Sequence, residues 1–146
     1  MASILHGLER VPWATIHVAS RPRPQSRPRV YRSGVVVSSS KPVRLCKQDI
    51  ARACRAAALP PPPDKHVAVL LELEAVIPIK DKRRHGQLHT SRPDADNLLK
   101  TVKDAIIDAG VLHDDAQIAI AAVRKVHGPY PGAMVISLST LSQTVG

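Results

Sequence analysis

Apolar and polar positions alternate roughly through Trp13-Ala-Thr-Ile-His-Val-Ala-Ser20, and β-branched residues recur there, which predicts a strand. Pro22, Pro24 and Pro28 then interrupt an arginine-rich stretch, Arg21 to Arg29, and forbid both a helix and a central strand, so an extended loop is expected. Val30-Tyr31-Arg32 and Val35-Val36-Val37 flank Ser33-Gly34, the pattern of a short hairpin. Lys41-Pro42 opens a helix expected from Val43 to Ala58, with Leu45, Ile50, Ala53, Ala57 and Leu59 on its apolar side. Pro60 to Pro63 stop it and form a rigid spacer rather than a domain boundary.

His66 to Ile79 alternates cleanly: Val67, Val69, Leu71, Leu73 and Ala75 share one face, while Glu72 and Glu74 point the other way. A polar loop over Lys80 to Arg92 precedes the clearest helix, Asn97 to Ala109, where Leu98, Val102, Ala105 and Ala109 stack at helical spacing. Asp96 or Asn97 can cap its start and Gly110 its end. Ala116 to Val126 and Ala133 to Leu141 predict two strands, joined as a hairpin through His127-Gly-Pro-Tyr-Pro-Gly132. The order β, β, β, α, β, α, β, β implies one α+β domain over residues 1–146, a mixed sheet with two main helices packed on it in two layers. Residues 1–10 are expected to be poorly ordered, and no internal repeat is visible.

Composition narrows the function classes. A chain of 146 residues with 44% hydrophobic content can build one core, so it is not a disordered basic tail. One Trp, two Tyr and no Phe leave too few aromatics for a base-stacking sheet. No apolar run approaches the ~18 residues that span a bilayer, so no membrane role is expected. The start of the chain lacks the basic and apolar segments of a secretory signal. Cys46 and Cys54 stand too far apart along one helix for a disulfide within it and are expected to be buried thiols in a reducing, cytoplasmic setting.

The net charge of +9 points to a polyanionic partner or merely to a soluble basic protein. Its distribution separates the two. Six of the twelve acids, all Asp, fall between Asp94 and Asp115, a window of net −4 that leaves +13 on the rest of the chain. A compact acidic cluster inside a basic protein is the layout of a metal-dependent enzyme acting on a polyanion: the basic surface holds phosphates, and the acids hold the cations that make phosphate reactive.

Arg92-Pro-Asp-Ala-Asp-Asn-Leu-Leu-Lys100 is the centre of that window. Asp94 lies just outside the helix, Asp96 at its mouth, and Lys100 follows Asp96 by four residues on the same side. The second acidic group is Asp114-Asp115. A helix to Ala109 advances about 20 Å, and six extended residues return at most about 20–22 Å. The spacing therefore just permits Asp94, Asp96 and either Asp114 or Asp115 to meet. Three clustered carboxylates repel unless a cation neutralises them, and Mg²⁺ suits oxygen ligands. An EF-hand is excluded, because Leu99 and Ala105 occupy the positions that need Gly and Glu. A purely capping role suits Asp94 and Asp96 but leaves Asp114 and Asp115 unexplained.

This run, with Asp104-Ala105, Asp114-Asp115-Ala116-Gln117-Ile118 and Lys125, resembles the signature of RusA-type Holliday-junction resolvases over about 35 residues. Arg92 stands where a lysine often precedes the Pro-Asp pair. The resemblance implies a RusA-like α/β homodimer that nicks four-way DNA junctions symmetrically with Mg²⁺ or Mn²⁺, in recombination and repair. It places metal binding and catalysis on Asp94, Asp96 and Asp115, chooses Asp115 over Asp114, and gives the essential lysine role to Lys100. Two sites related by a two-fold axis match a substrate cut on two strands.

Arg21, Arg23, Arg27 and Arg29 in the proline-rich loop either contact phosphates or are merely solvated; Arg27 and Arg29 are taken from that set as candidate DNA contacts, together with Lys82, Arg83, Arg84 and Arg92 beside the acidic run. His85 and His89 share i, i+4 spacing, but Gly86 and the loop context speak against a zinc pair. Asp104 and Asp108 are expected on the helix surface, paired with Lys100 or Lys103. The alternatives are a non-catalytic junction- or duplex-binding accessory protein and a nuclease acting on other branched DNA or on RNA.

Overall fold

A strand of eleven residues, β1 (Leu8–Val18), opens the computed structural model, which describes residues 3–25, 29–30, 32–34, 36–37 and 40–144. A small hairpin follows, β2 (Arg29–Val30) against β3 (Val36–Val37), at the place its sequence suggested. Next come α1 (Lys41–Ala56), β4 (Ala68–Pro78), α2 (Ala95–Asp108), β5 (Ile118–Gly128) and β6 (Ala133–Gln143). Single 3-10 turns at Lys82–Arg84 and Asp115–Gln117 precede α2 and β5. The predicted order of strands and helices and the α+β class are observed, with boundaries shifted by a few residues. Leu8–Arg10 belong to β1 and pair with Leu141–Gln143.

The large sheet has four strands in the order β1-β6-β4-β5. β4 is antiparallel to β6 and parallel to β5, with α2 as the crossover between the parallel pair. Leu71, Leu73 and Ala75 of β4, Ile136 and Leu138 of β6, and Ile16 of β1 form the buried sheet face, against Ile50 of α1 and Leu98, Val102 and Ile106 of α2. Each such Leu, Ile or Val side chain contributes about 1.5–3 kcal/mol by leaving water. Glu72 and Glu74 lie on the opposite face, in ion pairs with Arg10 and Arg124. The alternation in β4 is thus the two-faced sheet pattern expected of it.

The expected β5–β6 hairpin does not form. β4, the most apolar strand, takes the place between them, because it buries most when flanked on both sides. The chain after β5 therefore crosses the end of β4 before returning as β6. That crossing is tight: a Cβ on Gly128 would collide with Val76 Cγ1, and one on Gly132 would stand 2.8 Å from the Val76 carbonyl. Gly132 also has φ +92, a conformation that side chains disfavour.

Candidate active site

The amino-terminal end of α2 opens into a cleft of about 860 Å³. Asp94 is the N-cap residue; its backbone carbonyl accepts from the Leu98 N–H at 3.2 Å, but its side chain makes no capping bond. Asp96 sits in the first turn, where the helix dipole favours a negative charge. Both carboxylates are exposed and line the cleft, with Arg21, Arg23, Arg84 and Arg92 around them.

Several bonds hold this mouth in place. The Lys125 ammonium, from β5, donates to the carbonyls of Ser91 and Pro93, each at 2.8 Å. The Gln25 N–H donates to the Asn97 carbonyl at 3.0 Å and fastens the arginine–proline segment to the first turn of α2. Residues 86–89 run along the end of β5: the His89 N–H donates to Lys125, the His127 N–H to Gln87, and the Gly86 N–H to His127.

The second acidic group lies at the far end of the same helix. Gly110, with φ +75, ends α2, and the N–H groups of Gly110 and Val111 return to the carbonyls of Ile107 and Ile106. Val111 and Leu112 are buried, so the chain is anchored there. Asp114 caps the turn that follows, accepting from the Ala116 N–H at 3.0 Å in a reciprocal capping box with Gln117. The Ala116 N–H, donating to the Asp114 carboxyl, holds it below its usual range. Asp114 is thus engaged in local structure, and Asp115 is the other exposed carboxylate of the pair.

Asp94, Asp96 and Asp115 are consequently not brought together within one chain. Asp115 borders a separate hollow with Asp104, Asp108, His113, Asp114 and Lys47. Among the described residues, no group of three His, Cys, Asp or Glu side chains is placed to hold a metal ion. The expectation that residues 110–115 run back along α2 fails for a physical reason. Burial of Val111 and Leu112 pins that segment at the helix's carboxyl end, and the return is made by β5, which delivers Lys125 to the helix mouth. The Asp94–Asp96 pair by itself still suits Mg²⁺, which commonly takes one or two carboxylates and completes its shell with water and substrate phosphate.

The other candidates are scattered. Lys100 is exposed on α2, one turn beyond Asp96. Arg92 and Arg84 line the cleft. Arg83 is tied to Asp81 through its Nε at 3.1 Å, and that pairing keeps the Asp81 carboxyl below its usual range. Lys82 is exposed in the same turn. Arg27 falls outside the described residues, and Arg29 is described only as backbone of β2. Asp104 pairs with Lys47 of α1 at 3.5 Å rather than with Lys100 or Lys103. His85 Nε2 contacts the Ile79 carbonyl at 3.0 Å, whereas the His89 ring packs on His127. Cys46 and Cys54 are free, buried thiols, and burial raises the pKa of each.

Arg21, Arg23, His89, His127 and Lys125 also stand at the site. The sequence offers Arg21 and Arg23 only as part of the arginine set, His89 only as half of a disfavoured zinc pair and Lys125 only within the resembling signature; His127 it does not offer as a site residue at all. The arginine run was visible, but only the Gln25–Asn97 bond shows that its first two members are the ones at the cleft. The pairing of His89 with His127 carried no local signal, since the two come together only across the ladder between residues 86–89 and β5.

The protein-family description "Endodeoxyribonuclease RusA" matches residues 19–137. A crossover junction endodeoxyribonuclease, rusA, of Lactococcus phage r1t is 38% identical over 64 residues. That match covers 44% of this chain and 49% of the relative, so it spans about half of the relative's length. Among solved structures, a cyanuric acid hydrolase from A. caulinodans aligns over 94% of this chain and 40% of its own, at 17% identity and a TM-score of 0.27, a likeness too slight to carry an argument. With the family match running from the end of β1 into β6 and enclosing the whole Arg92–Lys100 run, this chain belongs to the RusA endodeoxyribonuclease family.

Proposed function

We propose that this protein is a divalent-cation-dependent endodeoxyribonuclease that resolves Holliday junctions by paired symmetric nicks, in DNA recombination and repair. One observation carries the reading: the Asp94 carboxylate stands at a helix mouth without capping it, beside Asp96, in a cleft lined by four arginines. A capping role, which a non-catalytic junction-binding protein would need for these acids, leaves that geometry unexplained.

In this reading Asp94 and Asp96 are the ligands of Mg²⁺ or Mn²⁺, which supplies activation of water and stabilisation of charge on the phosphate. Arg21, Arg23, Arg84 and Arg92 hold the phosphodiester backbone, and Lys100 contacts a phosphate oxygen or steadies the nucleophile. Lys82 and Arg83 extend the basic surface, and Arg27 and Arg29 are assigned DNA contacts on sequence grounds alone. Asp115 is the third metal-binding carboxylate. Because α2 separates it from Asp94 by about 20 Å, it reaches the site only from a second copy. A two-fold homodimer places the partner subunit's Asp115 beside Asp94 and Asp96, and forms two such sites. The proposed setting is the cytoplasm; no helix among the described residues is long and apolar enough to cross a membrane.

Synthetic four-way junctions incubated with Mg²⁺ or Mn²⁺ test the reading. Symmetric nicks are expected from the native protein and none from Asp96→Asn. Binding without cutting under every divalent cation refutes the enzymatic claim, and preferential cutting of flaps or RNA in the same panel refutes the substrate. Mixing Asp96→Asn with Asp115→Asn protein tests the shared site. Mixed dimers regain one intact site and nick; continued inactivity of the mixture rejects it.

A further inference from the structure

The four-stranded sheet has two edges, β1 and β5, and they are built differently. β1 carries Glu9, Arg10 and Pro12 and a register shift between Pro12 and Ala14, devices that keep a sheet edge from pairing with another chain. On β5 the run Ile118-Ala-Ile-Ala-Ala-Val123 has no charge, proline or glycine, and its register shift against β4 falls before Ala121. Residues 86–89 cover only the last part of its outer edge: the His127 N–H donates to Gln87, and the Lys125 carbonyl accepts from His89. Alternation along a strand turns the N–H and C=O of Val123 and Ala121 to that same edge. Among the described residues, no strand pairs with them there. Ala119, Ala121 and Ala122 are exposed, so little side chain stands in the way of an approaching strand. Leu88, within the covering segment, is 64% exposed and offers an apolar contact to whatever lies alongside.

The direction of β5 selects the occupant. A second copy of the strand meets this edge antiparallel about a two-fold axis, and residues opposite one another then share a face of the joined sheet. The open stretch from Ile118 to Arg124 is centred on Ala121, and an axis there uses all of it without meeting residues 86–89. β5 begins just after Asp115 and ends beside the helix mouth, where Lys125 holds the Ser91 and Pro93 carbonyls. Reversal across the axis sets the Asp115 end of one strand alongside the Lys125 end of the other, with about 4.8 Å between strands. Within one chain the length of α2 keeps Asp115 from Asp94; across this edge it does not. An unrelated extended peptide satisfies the same N–H and C=O groups but brings no carboxylate to the site.

We propose that β5 is the seam of a dimer: its open half pairs antiparallel with the same strand of a second copy about an axis at Ala121, joining two four-stranded sheets into one. The proposal rests on the nuclease reading for the role of Asp115, and adds the surface, the direction of pairing and the residue on the axis. β1, with its charges and proline, is left as the outer edge of the assembly.

The first test needs neither DNA nor metal. Sedimentation of the native protein is expected to give a species of twice the 15.8 kDa chain. Ala121→Lys sets like charges opposite each other on the axis and is expected to raise the dissociation constant about tenfold or more. The second test is mild oxidation of Ala121→Cys. Opposed residues of such a pair stand about 5.5 Å apart at Cα, inside the range that a disulfide bridges, so a covalent dimer is expected. Val11→Cys, at an exposed position on β1, is expected to stay uncrosslinked, and the native thiols are buried. A monomeric native protein, an Ala121→Lys dimer as tight as the native one, or crosslinking no faster at residue 121 than at residue 11 overturns the proposal. Should Ala121→Lys fail to fold, sedimentation of the native protein and the oxidation decide. Crosslinking at residue 121, together with native protein that leaves four-way junctions uncut, removes the nuclease reading and keeps the seam.

Discussion

The Lys125 ammonium donates to the Pro93 carbonyl at 2.8 Å and to the Ser91 carbonyl at the same distance, so the middle of β5 holds the segment that presents Asp94. The contact joins the sheet to the helix mouth through one side chain. Replacing Lys125 with Met keeps the aliphatic stem and removes the donors. The expected loss of stability is modest, about 1 kcal/mol for a partly exposed charge-assisted contact. Cleavage should suffer far more, because a carboxylate displaced by about 1 Å costs on the order of a hundredfold in rate. Urea unfolding and junction cleavage on the same variant check the split; parallel losses would show a purely structural role.

Asp96→Asn removes a metal-binding charge while keeping the side-chain shape. Cleavage should fall by at least about a hundredfold, comparable to removing other transition-state stabilising groups. Stability should move by no more than about 1 kcal/mol, since the lost helix-dipole attraction is offset by relief from the nearby Asp94. Junction binding should persist. A variant that melts early yet cuts when folded would contradict the assignment.

Gln117 stands in the run that resembles the resolvase signature, but its surroundings are structural. Its Nε2 donates to the carbonyls of Asp64 at 2.9 Å and Val67 at 3.2 Å, and its Oε1 accepts from the N–H groups of His113 and Asp114. The side chain is buried and ties the turn before β5 to the entry of β4. Gln117→Ala should cost about 2–4 kcal/mol, because several buried backbone groups lose their partner. Chemical denaturation measures it, and a change below about 0.5 kcal/mol would show that water replaces the amide.

Burial, and after it the charges of Lys125 and Arg84, holds the His89 pKa below its ordinary 6.5. The unfolded chain therefore takes up a proton near pH 6.5 while the folded protein does not. Stability attributable to this group is complete above pH 6.5 and declines as pH falls from there through the folded-state pKa. Replacing His89 with Asn should flatten that acid limb. Thermal melts between pH 7 and pH 5 provide the check, and identical pH profiles for variant and native protein would refute the linkage.

The features legible in the chain are those that local chemistry imposes. Alternation marked β4 because a two-faced sheet sorts neighbouring side chains, and the spacing of Leu98, Val102 and Ala105 marked α2 because a helix repeats every 3.6 residues. Pro42 marked the start of α1, and Asp94 and Asp96 declared themselves by adjacency. What remained hidden depended on residues far apart in the chain. The interposition of β4 between β5 and β6 follows from competition among strands for the most buried place, which no turn sequence encodes. Asp115 stays at the carboxyl end of α2 because Val111 and Leu112 enter the core there, a contact decided by packing rather than by reach. The same holds for Asp104 with Lys47 and for His89 with His127: each pairing exists only once separate elements have been packed side by side.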